Sequence, residues 1–270
     1  MELTTFSPVA LLLIGGLPHG AMDAYLAVRV FPKKLSWILG FTAVYLILIG
    51  AFLVTWQLAP NLSLTVFLLA SIWHFGKLDA NTQLKNSSSI TWKIFFGLTV
   101  PTNLAFFHTD EVRVLLEMLT LENVDLIVDS LLHGWWLWLS MMIVYQAKFF
   151  NAPLRLRGEP LGHLLLFAVL PPLWSFCLYF VLIHSLRHTV QVMRQAGQIQ
   201  KIWWLVAFVG SLLLVGLIAT ISKHIGGHFS AEFYRVAFVT LAALTIPHMI
   251  FIDGFQALSR LRAPVSSSKP

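Results

Sequence analysis

Between Leu35 and Gly76 the chain carries no Asp, Glu, Lys or Arg. Pro60-Asn61 divides this run into two pieces, and each is long enough to cross a bilayer, which takes roughly 20 mainly apolar residues. Pro160–Leu186 and Ile202–Ser222 are further uncharged stretches. Lipid offers backbone N–H and C=O groups no partner, so a spanning segment must be a helix or part of a closed barrel. A lipid-facing barrel would alternate apolar and polar residues, and these runs do not. The expectation is an all-α, polytopic transmembrane bundle of about eight (7–9) membrane helices, formed by one integral-membrane domain over residues 1–262. Residues 263–270, rich in Ser, Pro and Lys, read as a disordered cytoplasmic tail.

Composition excludes a soluble domain. Only 11% of the 270 residues are charged, against about 25% in soluble globular proteins, and 57% are hydrophobic. The single Cys177 rules out an internal disulfide and a multi-thiolate metal site. Met1-Glu2-Leu3 lacks the basic start of a signal peptide, so the first apolar segment is expected to stay as a helix. The net charge of +6 does not point to nucleic acid, because in a membrane protein the placement of charge matters more than its sum. No glycine-rich phosphate loop is present.

Hydropathy places spans near 7–30, 35–58, 62–80, 90–108, 130–150, 172–196, 201–222 and 232–260. The segment 154–171 is short and meets Pro171-Pro172. Counted as a further crossing with a turn at the prolines, it leaves only Arg113, Lys223 and Arg235 on one side and the other fifteen basic residues on the opposite one. That bias puts the N-terminus outside and the C-terminus in the cytoplasm of a cell membrane. Residues 110–131 carry Val112, Leu115, Leu116, Leu119 and then Val124, Ile127, Val128, Leu131 at helical spacing beside acidic residues. They read as an amphipathic interfacial helix, packed on the bundle or, in the sharper reading, covering a lipid-accessible pocket.

Ten histidines stand against this scarcity of charge. His19, His74 and His184 are each thirteenth in a span running outside to inside; His188 follows His184 by one turn, and His248 lies slightly deeper. A lone mid-helix His is more often a packing residue, but several at matched depth are costly and point to function. Imidazole suits iron, zinc, copper and nickel, so a metal or haem site is expected. A metal-bound His usually donates its second nitrogen to a carboxylate or carbonyl, which makes Asp23 and Asp253 candidates for that supporting role. Asp79 reads as the polar end of its helix, and Arg187 as a side chain reaching the inner interface. His108, His133, His163, His224 and His228 read as structural.

Gly16-Leu17-Pro18-His19-Gly20-Ala21-Met22-Asp23, His74-Phe75-Gly76-Lys77-Leu78-Asp79, His184-Ser185-Leu186-Arg187-His188 and the late Pro247-His248 together resemble the Brp/Blh family, the membrane β-carotene 15,15′-dioxygenases found beside microbial rhodopsins. The resemblance extends in order over nearly the whole chain. It implies an Fe(2+) enzyme that splits the central double bond of β-carotene with O2, giving two all-trans retinal for a microbial rhodopsin. The metal-ligand histidines it implies are His19, His74, His184 and His188. The residues alone leave His248 as a fifth ligand, a supporting donor or a substrate contact, and the supporting role is favoured. The chain's basic character suggests a bacterial, non-halophilic source. Trp73, Phe75, Phe176, Tyr179, Phe180 and Phe251 flank the ligands and are candidates for an apolar substrate tunnel.

Other classes stay open on the residues alone. A di-iron desaturase or hydroxylase also uses histidine clusters, but needs about eight. A haem protein would use histidines of facing helices as axial ligands, and a carotenoid-binding partner of rhodopsin would hold carotene without cleaving it.

Overall fold

The computed structural model describes residues 7–15, 23, 25–28, 34–85, 89–196, 201–225 and 229–262. Every regular element among them is helical. Residues 7–15 and 25–28 are helical parts of the first expected span; His19, His228 and the tail 263–270 lie outside the described residues, as does the side chain of His224.

Helix α1, Leu35–Leu58, ends where Ala59 leaves helical backbone (φ −151°, ψ 72°). The ring of Pro60 disfavours helical backbone in the residue before it, and Pro60 itself opens α2, Pro60–Gln83, at the first-turn position that needs no N–H. Helix α3 spans Ile90–Phe107, α4 Thr109–Thr120, α5 Asp125–Lys148 and α6 Leu154–Val169. The last long rods are α9, Lys201–Ile225, and α10, Phe229–Arg262, which contains Pro247. Leu35–Leu58, Asp125–Lys148 and Ala231–Gly254 are, among the described residues, long and apolar enough to cross a membrane. Of α1, only Phe52 and Trp56 are buried, so most of its apolar surface faces outward, as a lipid-solvated helix requires.

Two expectations are revised. Residues 110–131 do not form one interfacial helix. Leu121 adopts left-handed backbone (φ 57°) and closes α4, and a second helix begins at Asp125, whose backbone N–H donates to Asn123 Oδ1 at 3.0 Å. Ile127, Val128 and Leu131 therefore belong to the first turns of α5. Between 172 and 196 the chain is not uniformly α-helical either. It runs as α7, Pro172–Leu178, a π-helical segment, Tyr179–Ser185, and α8, Leu186–Ala196. Leu170 and Pro171 are extended ahead of it, so α6 and α7 are separate helices, as the prolines suggested.

α2 and α3 approach very closely at two glycines. A Cβ on Gly76 would collide with the carbonyl oxygen of Lys93, and one on Gly97 with that of Ile72. Small residues at a helix crossing let backbones touch, which supplies the van der Waals attraction that lipid cannot oppose. Polar groups join α3 to α5: Trp138 Nε1 donates to Thr99 Oγ1 at 3.0 Å, and Trp135 Nε1 to Asn103 Oδ1 at 3.2 Å. Tyr145 Oη donates to Leu156 O at 2.9 Å and ties α5 to α6.

This close crossing predicts that Gly76→Ala and Gly97→Ala each destabilise the folded chain by about 1–3 kcal/mol, the range for overpacking. Gly162→Ala, where nothing lies within 4 Å, should be neutral or mildly stabilising. Thermal unfolding in detergent compares them.

Candidate functional site

Four buried imidazoles meet where α2, the π segment, α8 and α10 face one another. His74 is 5% exposed, His184 0%, His188 2% and His248 2%. The His74 ring centroid lies 5.2 Å from His184, 6.4 Å from His188 and 5.3 Å from His248. His188 and His248 are 5.0 Å apart. A metal–nitrogen bond of about 2.1 Å sets a ligating ring's centroid roughly 3.2 Å from the ion, so two such centroids stand about 4.5–6.4 Å apart. The observed spacings fall in this range, and an all-imidazole donor set suits iron. Among the described residues no three His, Cys, Asp or Glu side chains are placed to grip one ion as they stand. His19 is outside them.

His248, expected as a supporting group, lies in direct ring contact with His74 and His188. The group behind it is Asp23, both of whose carboxylate oxygens lie 2.9 Å from His248 Nδ1. A carboxylate only accepts, so Nδ1 is the donor in this contact. Tyr45 Oη also donates to Asp23 at 2.9 Å. This is the carboxylate–histidine arrangement that fixes a tautomer and raises a ligand's basicity.

Asp253, the other candidate for a supporting carboxylate, pairs with Lys77 at 2.5 Å and ties α10 to α2. On a helix, five residues turn through about 140°, which carries Asp253 off the face of His248. Asp79 is not the polar end of α2. It is 1% exposed and accepts from Tyr179 Oη at 2.5 Å and from Arg187 at 2.6 Å. Arg187 does not reach out to the interface; it bridges Asp79 and Glu159. His163 and His108 have structural partners, His163 near Glu159 and His108 on the carbonyl of Phe167 at 2.9 Å. His133 caps its own helix turn through Asp129 O.

Beside the imidazoles lies an apolar cavity of about 140 Å³. α2 lines it with Leu64, Leu68, Ser71 and Phe75, and α4 closes it with Val112, Leu115, Leu116 and Leu119. The amphipathic helix thus turns its apolar face onto a cavity. Phe75 belongs to both regions, since its ring also packs on His184 at 4.4 Å. Of the aromatic candidates, Phe75 and Phe176 line the cavity, and Phe180 stacks on His184. Tyr179 faces His163 and Phe167 instead, Phe251 packs on Phe41, and Trp73, 42% exposed, lies under the Lys93 ammonium on the outer surface. Tyr234 and Phe238 of α10 also line the cavity; their spacing of four was the sequence signal for a shared face.

Fold and site together define an all-helical protein, with spans suited to a membrane, that sets a buried histidine cluster against an apolar cavity. The family model described as Beta-carotene 15,15'-dioxygenase matches residues 9–256. A protein of an uncultured marine bacterium, 66A03, named Beta-carotene 15,15'-dioxygenase, is 32% identical over 272 aligned positions, covering 94% of each chain. No solved structure matches. The chain belongs to the β-carotene 15,15′-dioxygenase family.

The Asp23 arrangement yields a test. Asp23→Asn replaces the charged acceptor beside His248 Nδ1 by a neutral amide, so a divalent metal loaded onto the purified chain should be lost to a chelator on the order of 10–100-fold more readily than from wild type. Timed chelator competition followed by elemental analysis measures this.

Proposed function

We propose that this chain cleaves β-carotene at its central 15,15′ double bond with O2, yielding two all-trans retinal. The observation that carries this reading is Phe75, whose ring joins the imidazole cluster to the apolar cavity, in a chain matched to the dioxygenase family over nearly its full length. The reaction balances without a further reductant: the double bond breaks, and each of its carbons takes one oxygen atom of O2.

His19, His74, His184 and His188 would hold the Fe(2+), with His248 beside them. When bound, that ion supplies the activation of O2 that a spin-forbidden reaction with a polyene needs. The chain's own residues supply the rest. Four neutral imidazoles leave coordination positions open. The cavity runs about 16 Å along α2 from Leu64 to Phe75, comparable with half of an extended C40 polyene, and its apolar wall recognises shape because the substrate has no polar handle. Phe75 and Phe180 hold the polyene against the His184 side of the cluster and keep water from it. α4 covers the half-site towards the lipid, from which β-carotene enters.

The setting proposed is a bacterial inner membrane crossed by about eight helices, N-terminus outside, with retinal passing to a microbial rhodopsin. In a carotene-accumulating host, expression should bleach the pigment and produce retinal. Single replacement of His19, His74, His184 or His188 by Ala should abolish retinal formation; full activity in any one of them removes that residue from the ligand set. Iron analysis should give one ion per chain with no Soret band. Leu116→Trp, which fills the cavity beneath α4, should lower the rate while leaving iron content unchanged.

A further inference from the structure

A single buried carboxylate grips both flanks of the π segment. Asp79 Oδ2 accepts from Tyr179, the first residue of that segment, and Asp79 Oδ1 from Arg187, two residues beyond its end. In an uninterrupted α-helix, residues eight apart point about 80° away from each other. A π segment inserts roughly one extra residue and turns everything after it by about 100°, which brings Tyr179 and Arg187 to within about 20° of one face. Both reach the same carboxylate because the π turn is there. Conversely, the pairing with Asp79 and Glu159 is lost in part if the helix relaxes to α.

The histidines are set by the same register. His184 lies inside the π segment, and His188 one turn into α8. Relaxation to α would rotate one against the other and against His74. Arg187 is the side chain between them, and its second carboxylate, Glu159, comes from α6. The cluster therefore depends on a π turn whose ends are fixed to α2 and α6 by charge-assisted hydrogen bonds, the strong kind in a buried setting.

We propose that Asp79 is a positioning residue: through Tyr179 and Arg187 it holds the 179–185 π turn and so aims His184 and His188 at His74. It touches neither substrate nor metal. The part of the proposal that concerns metal rests on the function proposed above; the part that concerns the π turn does not.

The test uses the full chain in detergent or nanodiscs, with Asp79→Asn, Tyr179→Phe and Arg187→Lys. Hydrogen exchange, which needs no metal, should show faster exchange of the amides of 179–188 in Asp79→Asn and Tyr179→Phe, with α1 unchanged. Cobalt(II) bound in place of iron should give altered visible ligand-field bands and on the order of 10–100-fold faster loss to a chelator, the range for groups that orient a ligand. Combining Tyr179→Phe with Asp79→Asn should add little, because both act through one carboxylate. If Asp79→Asn fails to fold, Tyr179→Phe alone carries the comparison. Unchanged exchange at 179–188 together with an unchanged cobalt spectrum would overturn the proposal, even if the melting temperature falls. A wild-type chain that binds no metal and forms no retinal would instead overturn the proposed function, while the exchange result still decides the role of Asp79.

Discussion

Carboxylates buried or half-buried in an apolar bundle must find partners on other helices, and most of this architecture follows from where they find them. An unpaired buried charge is expensive enough that side chains take up fixed geometries to avoid it. Asp23 is met by Tyr45 of α1 and His248 of α10, Asp79 by Tyr179 and Arg187, Glu159 by the same Arg187, and Asp253 by Lys77. Each pairing crosses between different helices. Apolar contacts between helices in lipid are weakly directional, since lipid tails pack on a leucine about as well as another helix does. Polar pairings and the two-glycine crossing of α2 with α3 are what choose one arrangement.

Much of this was legible in the sequence. The uncharged run after Lys34 and the proline at 60 mark α1 to the residue, because length, hydropathy and a helix-breaking proline are local properties. The matched depth of His74 and His184 foreshadowed their meeting, since depth along a span is also nearly local. What failed to show was rotation about the helix axis. Trp73 and Phe75 both adjoin His74 in sequence, but they are two residues, or about 200°, apart, and only Phe75 faces inward. Asp253 lies off the face of His248 for the same reason and pairs with Lys77. The π turn at 179–185 has no composition of its own; it is held by Asp79, one hundred positions away from Tyr179, and nothing in a single sequence couples those two.

α4 shows how one amphipathic pattern can serve a purpose that periodicity alone cannot identify. Its acidic side carries Asp110, Glu111 and Glu117, and its apolar side looks onto the cavity rather than into a filled core. The helix is fastened at its ends and back and not over the cavity itself: Arg113 pairs with Asp125 of α5, and Trp56 Nε1 reaches Leu119 O at 3.4 Å. A wall of leucines fixed in this way has adaptable side chains on a located backbone. An apolar polyene offers no hydrogen bond by which to be oriented, so the wall must impose direction through shape. The glycine-tight pairing of α2 with α3 makes the opposite wall unyielding, because backbones already in contact cannot move closer. A cavity with one rigid side bearing Phe75 and one adjustable side bearing α4 can fit a stiff, nonpolar rod while holding its inner end at a fixed distance from the imidazoles.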